Sequence, residues 1–464
     1  MKINKRLVLL LMIGLGVNIQ MNAQSIKPFQ EGERVAFLGN SITDGGHYHS
    51  YIWLYYMTHF PDRHIRCFNA GIGGDDVKQM ADRFNYEIIP LKPTVMMVTW
   101  GMNDTKYWEW NRPKADTLQE AVVAIARQRY QVLDKKLKQH PEFRKVFILG
   151  SPYDETTKSN KQNYFPGKSK AFEALIDFQE TIAKKNGWGS VDFDHPMLEI
   201  NRHEQVKDSL FSLEPNDRIH PDNNGHMVMA YLFLKAQGLD NLPVADIAID
   251  VIHKKAAKAI NCKISGIAVN ANTISFNYLA YSLPYPTDTI PRGAFQTKAQ
   301  SDGLKLVPFN TVFNQEILKV TGLKPGNYQL SMDGQVINHW TAKELSSGIN
   351  LAEEMYTPEY QQALQIMHLN EERWELERRG RMYAWMEFDL LKDKGLLFAD
   401  NKAAMDTVNK YSKQFFFGGN REMYTKAQYK TIRNAWEAEQ TTLINAIYSA
   451  NKPKTHKVQL LKVE

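Results

Sequence analysis

Short segments of this 464-residue chain carry residue types that could together perform nucleophilic chemistry. The segment 39–43 (Gly-Asn-Ser-Ile-Thr) places Ser41 directly after the apolar run 35–38. A serine hydroxyl is a poor nucleophile unless a base takes its proton and hydrogen-bond donors receive the charge that develops on the substrate. The side-chain amide of Asn103 could supply a neutral donor, and His220 could supply the base.

Asp217 and His220 lie three residues apart in the segment 216–221 (Asn-Asp-Arg-Ile-His-Pro). This spacing lets the carboxylate hold the imidazole in one tautomer while the other ring nitrogen faces Ser41, as in a Ser-His-Asp triad. Alone, such a pair is a weak signal, because solvated Asp–His pairs are common on loops. The glycines of 69–75 (Asn-Ala-Gly-Ile-Gly-Gly-Asp) would let backbone N–H groups approach a substrate, or simply form a strand-to-helix turn.

Alternating strand-like and helix-like segments between residues 34 and 240 predict the frame that positions these groups. The strand candidates are 35–38, 65–69, 94–100, 145–149 and 190–193, and the helix candidates are 77–89, 118–139, 169–186 and 224–237. This alternation indicates right-handed crossovers and a parallel sheet covered by helices on both faces. Since such sheets bind ligands at the carboxyl ends of their strands, Ser41, the glycine segment and Asn103 should meet at one edge. We also expect a helix over 47–59 to direct the positive end of its dipole at Ser41.

Taken in order, the four segments resemble the sequence blocks of the SGNH (GDSL-type) hydrolase superfamily. Residues 39–43 match the nucleophile block, 69–75 the glycine block, 101–104 (Gly-Met-Asn-Asp) the asparagine block and 217–220 the closing block. The resemblance spans residues 34 to 237 and implies a flavodoxin-like three-layer sandwich with a five-stranded parallel sheet. Asn40 departs from the family pattern, in which many members carry Asp, but it lies beside the nucleophile and outside the triad.

The resemblance also implies a role for each side chain. The expected catalytic set is Ser41 as nucleophile, His220 as general base and then acid, and Asp217 as the residue that orients the histidine. The oxyanion hole would consist of the N–H groups of Ser41 and Gly74 with the amide of Asn103. Gly74 is chosen because it precedes Asp75, as the family glycine precedes its Asp or Glu, and Gly71 is the alternative.

Other catalytic arrangements fit the sequence less well. The α/β-hydrolase fold requires Gly-x-Ser-x-Gly, whereas Thr43 occupies the position of the second glycine. Several histidines occur close together, at positions 47, 49, 59 and 64, but their spacing fits no metal-ligand motif. We therefore expect neither a metal nor a cofactor.

The first residues predict export. Three cations within 2–6 precede the apolar run 7–17, and 22–24 offers a small-residue cleavage point, which is typical of a bacterial secretory signal peptide. We expect residues 1–23 to be removed and the protein to act in the periplasm or outside the cell. Without the three cations the net charge falls from +6 to +3, which gives no support to nucleic-acid binding. No later apolar run of about 18 residues predicts stable membrane insertion.

Only two cysteines occur in the chain, Cys67 and Cys262. An exported protein could join them in a disulfide, but Cys67 falls in a strand candidate, where a small buried thiol is the commoner situation.

The chain changes character after Gly238. Strand-like segments at 264–269, 273–279, 317–320 and 328–332 predict a small antiparallel β module over 245–352, followed by a helical region over 357–450 and a tail over 451–464. Gly418, Gly419 and Asn420 should break the helical region, whose helices should be packed together by Trp374, Trp385 and Trp436. The short linker after Leu239 favours packing of this part against the hydrolase domain, residues 30–240.

The substrate class is indicated by export and by aromatic residues near the predicted cleft. Tyr107, Trp108 and Trp110 follow Asn103 on the loop after the third strand, where flat rings could stack on sugar rings or cover the core. Export disfavours an acyl-CoA substrate. We therefore expect a serine esterase that hydrolyses O-acyl esters of carbohydrates, chiefly O-acetyl esters, through an acyl-enzyme on Ser41.

Two other functions remain open. The first is a lysophospholipase or general short-chain esterase. The second is a non-catalytic glycan-binding protein on a hydrolase scaffold, with the β module as the adhesive part. The presence of a complete set of catalytic side chains argues against the second. The sequence does not predict an oligomeric state.

Overall fold

The structure is a computed structural model that describes residues 26–112, 117–159, 163–293 and 296–463. The predicted signal peptide, residues 1–23, lies outside these ranges. A five-stranded sheet with the order β2-β1-β3-β4-β5 forms the centre of the N-terminal part. Its strands are β1 Arg34–Gly39, β2 Arg66–Gly71, β3 Val95–Val98, β4 Arg144–Leu149 and β5 Gly189–Asp192. All neighbours are parallel, which confirms the predicted flavodoxin-like doubly wound sheet.

Helices cover this sheet as the alternating pattern predicts. They are α1 Ser41–Asp44, α2 Tyr48–His59, α3 Val77–Arg83, α4 Leu118–Lys138, α5 Lys168–Asn186, α6 Asp194–Gln205 and α7 Asn223–Ala236. Helix α3 continues as a π-helical turn, Phe84–Ile88. Neighbouring helices α3, α4 and α5 pack side by side, and α2 packs on α7. Every residue of α2 is buried, so other elements must cover the side of this helix that faces away from the sheet.

Two further sheets form the β module. The strands and short helices are β6 Ala245–Asp250, β7 Lys255–Ile260, β8 Cys262–Val269, β9 Thr273–Ala280, α8 Phe309–Phe313, β10 Glu316–Thr321, β11 Asn327–Met332, β12 Gln335–Thr341, α9 Ala342–Ser347 and β13 Ile349–Asn350. One sheet has the order β13-β10-β6-β7, in which β6 and β10 are parallel. The other contains β12, β11, β9 and β8 and pairs only antiparallel strands.

The last residues are not a tail, and this prediction is wrong. Residues His456–Val463 form β14, which lies between β9 and β11 in the centre of the antiparallel sheet. Val458 and Leu460 are buried in the core between the two sheets. Strand β14 pairs with residues 126–136 positions earlier in β11 and 178–188 positions earlier in β9, which a local pattern cannot reveal.

The helical region consists of α10 Pro358–Trp385, α11 Lys402–Tyr411, α12 Phe415–Ala427 and α13 Lys430–Ala450. Helix α10 continues as a π-helical segment, Met386–Leu391, before Gly395 ends it with φ of +68°. The predicted break at 418–420 is wrong, because α12 runs through these residues. A Cβ on Gly418 would lie 2.7 Å from the carbonyl of Ser412, so the glycine permits close packing of α12 on the end of α11.

Two of the three tryptophans predicted to join these helices face the hydrolase domain instead. Trp374 stacks on His47 with ring centroids 4.1 Å apart, and Trp385 lies against Gly73. Trp436 packs within the helical region, and Trp385 also contacts the small apolar cluster of Ile72, Ala384 and Phe388. Helix α10 therefore covers α2 and the end of β2, which explains the complete burial of α2.

One apolar core connects these parts of the chain. It contains the central sheet with Trp53 of α2, and also Phe309, Ile366 and Ile447 from the later regions. Among helices in the described ranges, none combines the length and apolar character that crossing a bilayer requires. Cys67 and Cys262 are free and buried.

Candidate active site

Ser41 is held by the turn between β1 and α1. Asn40 caps the helix by accepting the N–H of Ile42 on its side-chain oxygen at 3.0 Å. A Cβ on Gly39 would lie 2.2 Å from Oγ1 of Thr43, so only glycine allows this turn. The sequence predicted that Ser41 faces a helix over 47–59, but Ser41 is itself the first residue of a shorter helix. Its N–H therefore has no intrahelical acceptor and is available to a ligand.

Asp217, His220 and Ser41 form a continuous hydrogen-bonded chain. Nδ1 of His220 lies 2.5 Å from Oδ2 of Asp217, and Nε2 lies 2.8 Å from Oγ of Ser41. Because an ionised carboxylate only accepts hydrogen bonds, Nδ1 carries the proton and Nε2 is free to accept the serine proton. The predicted base, orienter and nucleophile thus lie together.

The loop of Asp217 is fixed by backbone and side-chain hydrogen bonds. Oδ1 of Asp217 accepts the N–H groups of Ile219 and His220 at 3.0 and 2.9 Å. Arg218 has φ of +66°, and its guanidinium is buried among carbonyl groups, including that of Asp154 at 3.1 Å. Burial opposes ionisation of Asp217, but its hydrogen bonds with His220 and the backbone hold its pKa below the usual value. The carboxylate is therefore charged at neutral pH.

Asn103 lies on the loop after β3, where its amide has two partners. Nδ2 donates to the carbonyl of Asp75 at 2.8 Å, and Oδ1 accepts the hydroxyl of Tyr107 at 2.5 Å. These contacts fix the direction of the amide and leave the second Nδ2 proton for a ligand.

Lys168 anchors the same loop from below, which the sequence did not indicate. Its buried Nζ donates to the carbonyls of Met102 and Lys106 at 2.6 and 2.7 Å and lies 4.0 Å from the ring centroid of Tyr107. Burial lowers the pKa of Lys168, while Asp104 opposes that shift. No local sequence pattern distinguishes Lys168 from the other lysines of α5.

Gly71 and Gly74, the two candidate oxyanion donors of the glycine segment, have different surroundings. The N–H of Gly71 donates to Oδ1 of Asn69 at 2.9 Å, and a Cβ there would lie 2.3 Å from the backbone nitrogen of Asp44. Gly74 has φ of +88°, and a Cβ on it would meet open space. Within the described part of the chain its N–H has no hydrogen-bond acceptor. Gly74 is therefore the better placed donor for an oxyanion.

The three aromatic residues after Asn103 separate into different environments. Trp108 is 62% exposed and stacks on Phe165 with ring centroids 5.2 Å apart. Tyr107 is half-buried and contacts Asn103. Trp110 is only 4% exposed and donates its indole N–H to the carbonyl of Thr105 at 2.8 Å. The prediction that Trp110 binds substrate is wrong, because the ring is packed in the core beneath the loop.

The clustered histidines are used in packing. His49 contacts the carbonyl of Thr43 at 3.2 Å, and His59 contacts that of Phe313 at 2.7 Å. His47 stacks on Trp374, and His64 stacks on Tyr448.

Comparison with known proteins assigns the chain to a family. A profile of the GDSL-like lipase/acylhydrolase family matches residues 37–228. An acetylxylan esterase of Geobacillus stearothermophilus is 24% identical over 228 residues, which are 45% of this chain and 95% of that esterase. The chain belongs to the SGNH, or GDSL-type, hydrolase superfamily and is an esterase of that type.

The similarity to one solved structure extends over nearly the whole chain. A gut microbial diltiazem-metabolizing enzyme is 49% identical, covers 95% of this chain and 100% of its own, and superimposes with a TM-score of 0.93. A second profile, described as the diltiazem deacetylase C-terminal helical domain, matches residues 364–452. The present chain thus combines a GDSL-type hydrolase domain with that helical domain.

Proposed function

We propose that this esterase hydrolyses O-acetyl esters through an acyl-enzyme on Ser41. The observation that carries the proposal is the hydrogen-bonded chain from Asp217 through His220 to the Ser41 hydroxyl, with distances of 2.5 and 2.8 Å. The names of both relatives support an acetyl group, since one is an acetylxylan esterase and the helical domain is that of a diltiazem deacetylase.

Acylation begins when Nε2 of His220 takes the hydroxyl proton and Oγ of Ser41 attacks the ester carbonyl carbon. The carbonyl π electrons move to its oxygen, which receives hydrogen bonds from the N–H groups of Ser41 and Gly74 and the amide of Asn103. Each such donor stabilises the transition state by about 3 kcal/mol. The bond to the alcohol oxygen then breaks, and the alcohol leaves with the proton from His220.

Deacylation repeats these steps with water. His220 takes a proton from water, the hydroxide attacks the acetyl carbonyl, and the same donors receive the charge. Collapse of this intermediate breaks the bond to Oγ of Ser41, which recovers its proton as acetic acid departs. Asp217 stabilises the imidazolium formed in both halves of the reaction.

We propose a carbohydrate ester as the first candidate for the alcohol part. The exposed ring of Trp108 at the cleft edge could stack on a sugar, and the acetylxylan esterase is a relative of the hydrolase domain. Export through residues 1–23, which is part of the same proposal, would bring the enzyme to extracellular glycans. The second candidate is diltiazem or another acetate ester with aromatic rings, because the full-length similarity is to a diltiazem-metabolizing enzyme.

The acyl-enzyme is tested by comparing Ser41→Ala with the parent on p-nitrophenyl acetate. The parent should release acetate and, when quenched early, should carry one acetyl group on the peptide that contains residue 41. The variant should do neither. A parent without activity on any ester would favour the glycan-binding alternative.

The alcohol is identified by mass spectrometry of reactions with acetylated xylan, pectin and sialosides, diltiazem and lysophosphatidylcholine. Loss of one acetyl group from an oligosaccharide at the highest kcat/KM supports the carbohydrate assignment. A clear preference for diltiazem supports the second candidate, and a preference for the lysolipid contradicts both.

A further inference from the structure

One face of helix α10 lies along the loop that follows β2. The residues of this face recur at every fourth position and are Arg373, Glu377, Arg381, Trp385 and, in the π-helical continuation, Asp389. Positions four apart lie above one another on a helix. We call these five residues the α10 stripe. Each of them contacts the hydrolase domain.

The contacts of the α10 stripe follow the order of the chain from α2 through the end of β2 and the loop after it to α3. The Arg373 guanidinium lies over the ring of Trp53, and Oε1 of Glu377 accepts the N–H of Asn69 at 2.8 Å. Arg381 lies 3.5 Å from the carbonyl of Gly71, and the Trp385 ring lies 3.8 Å from the position that a Cβ of Gly73 would occupy. Asp389 accepts the side-chain amide of Gln79 at 3.2 Å. Gly73 thus faces the helical domain, whereas the next residue, Gly74, faces open space.

An ion-pair chain runs from the α10 stripe to the far end of this loop. Arg381 is bonded to Glu87, whose other oxygen lies 2.5 Å from the guanidinium of Arg83. Arg83 in turn donates to the carboxylate of Asp75 at 2.6 Å and to the carbonyl of Ala70 at 2.8 Å. All of these side chains are at least six-sevenths buried, and those of Arg83 and Asp75 are almost completely so.

The ion-pair chain ends at Asp75, which is next to two donors of the candidate oxyanion hole, Gly74 and Asn103. The backbone carbonyl of Asp75 holds the amide of Asn103, and Asp75 follows Gly74 directly. A displacement of Asp75 would therefore redirect both donors. Glu87 also lies in the π-helical turn after α3, and such turns occur frequently at functional sites.

Stability alone does not account for this arrangement. The attraction within a buried ion pair does little more than offset the free-energy cost of desolvating its two charges. Apolar residues of similar volume would often give a protein of equal stability. What the ion pairs supply is a defined geometry, which an oxyanion hole requires.

We propose that Arg381 is a positioning residue which, through Glu87, Arg83 and Asp75, directs the donors at Gly74 and Asn103 toward the oxyanion. The helical domain is then part of the catalytic apparatus and more than a cover for the cleft. This inference rests on the proposed function, in which those donors stabilise the charge on the acetyl carbonyl.

The test uses the full chain with Arg381→Met. We expect kcat on p-nitrophenyl acetate to fall about tenfold to 100-fold, because a misplacement of about 1 Å costs that much, while KM changes by less than about twofold. The rate of Ser41 labelling by a fluorophosphonate should fall by a similar factor, since its phosphoryl oxygen needs the same donors. Arg381→Lys, which keeps the charge, should recover most of the loss.

The matched control is Arg378→Gln. Arg378 lies one turn away on α10, its side chain is 42% exposed, and its ion-pair partner is Glu375 within the same helix. This variant should keep the parent kcat. The double variant Glu87→Gln/Arg381→Met removes the unpaired carboxylate, so a return of kcat to the parent value would show that only a charge penalty had been measured and would overturn the proposal.

Fluorophosphonate labelling separates the two proposals. If the parent hydrolyses no acetate ester but labels at Ser41, the proposed function fails while the labelling ratio still decides the role of Arg381. Labelling of Arg381→Met at the parent rate, or an equal loss in Arg378→Gln, contradicts the inference. If Arg381→Met does not fold, as judged by circular dichroism, Glu87→Gln, which weakens the next member of the ion-pair chain, is measured instead, and an unchanged labelling rate in that variant contradicts the inference equally.

Discussion

At the scale of single residues, the site depends on side chains whose polar atoms are nearly all engaged. Asp217 uses one oxygen for His220 and the other for two backbone N–H groups. Asp217→Asn would keep the shape but could present an N–H group to Nδ1 of His220 and so favour the wrong tautomer. We expect kcat on p-nitrophenyl acetate to fall about 10³- to 10⁴-fold.

The measurement for Asp217→Asn is steady-state hydrolysis together with thermal unfolding. An unchanged Tm would show that the loop remains folded, so the loss belongs to the chemistry. A fall in kcat of less than about tenfold would mean that Asp217 does not orient the base.

Tyr107 was predicted to bind substrate, but its hydroxyl is used to orient the Asn103 amide. Tyr107→Phe removes one hydrogen bond and keeps the ring over Lys168. We expect kcat to fall about tenfold with little change in KM, because the amide acts on the transition state. Tyr130→Phe is the control, since that buried hydroxyl bonds Asp134 on α4 and should leave kcat unchanged. A rise in KM alone would restore the substrate-binding interpretation.

Asp194 makes stability depend on pH. Burial raises its pKa to about 7, although His195 opposes this, so the folded state holds a proton that the unfolded state loses near pH 4. Stability therefore decreases as pH rises from about 4 to 7, by an amount of the order of 4 kcal/mol for this group. In urea unfolding, Asp194→Asn should gain stability relative to the parent across this range. A constant difference between the two proteins would contradict the assignment.

At the scale of elements, the turn after β2 presents a donor only because one residue has a positive φ. Gly74 is at +88°, with open space where a side chain would be. Gly74→Ala avoids steric overlap but strains this backbone by about 1 to 2 kcal/mol, and relief of the strain would turn the N–H away. We expect kcat to fall about tenfold or more with the fold retained.

Gly187 offers a matched control for that substitution. It has φ of +67° and equally open surroundings at the end of α5. Gly187→Ala should lose similar stability in thermal unfolding but should keep the parent kcat. Equal activity of the two variants would exclude Gly74 as an oxyanion donor.

At the scale of the whole molecule, strand β14 joins residues 456–463 to the β module formed by much earlier residues. Leu460 is fully buried between the two sheets of the β module, whereas Leu461 on the same strand is 37% exposed. Leu460→Ala should lower the free energy of unfolding by about 3 kcal/mol, because it leaves a cavity. Leu461→Ala should cost less than about 1 kcal/mol in the same denaturant titration. Equal costs would mean that β14 is not part of a cooperative core.

The parallel character of the central sheet and a set of candidate reactive side chains could be predicted from the sequence. Strand positions such as 35–38 and 145–149 carry apolar runs bounded by turns, and a parallel sheet brings the ends of such runs to one edge. The pairing of Asp217 with His220 is local, since both lie within one loop. Each local pattern was a weak signal by itself. The order of the four segments along the chain, which resembles the SGNH hydrolase blocks, identified Ser41, Asn103, Asp217 and His220 as candidates.

Only the tertiary structure decided which of several equivalent residues does what. Trp108 and Trp110 are indistinguishable in sequence, yet one is exposed and the other buried, because burial depends on what packs above the loop. Arg381 and β14 contact partners more than 100 positions away along the chain. A periodic pattern of apolar residues specifies a helix or strand through residues that are close in sequence. Long-range contacts depend instead on the path of the whole chain, which such a pattern does not contain. The candidate catalytic groups were therefore readable from the sequence, whereas the contacts of the C-terminal half with the hydrolase domain were not.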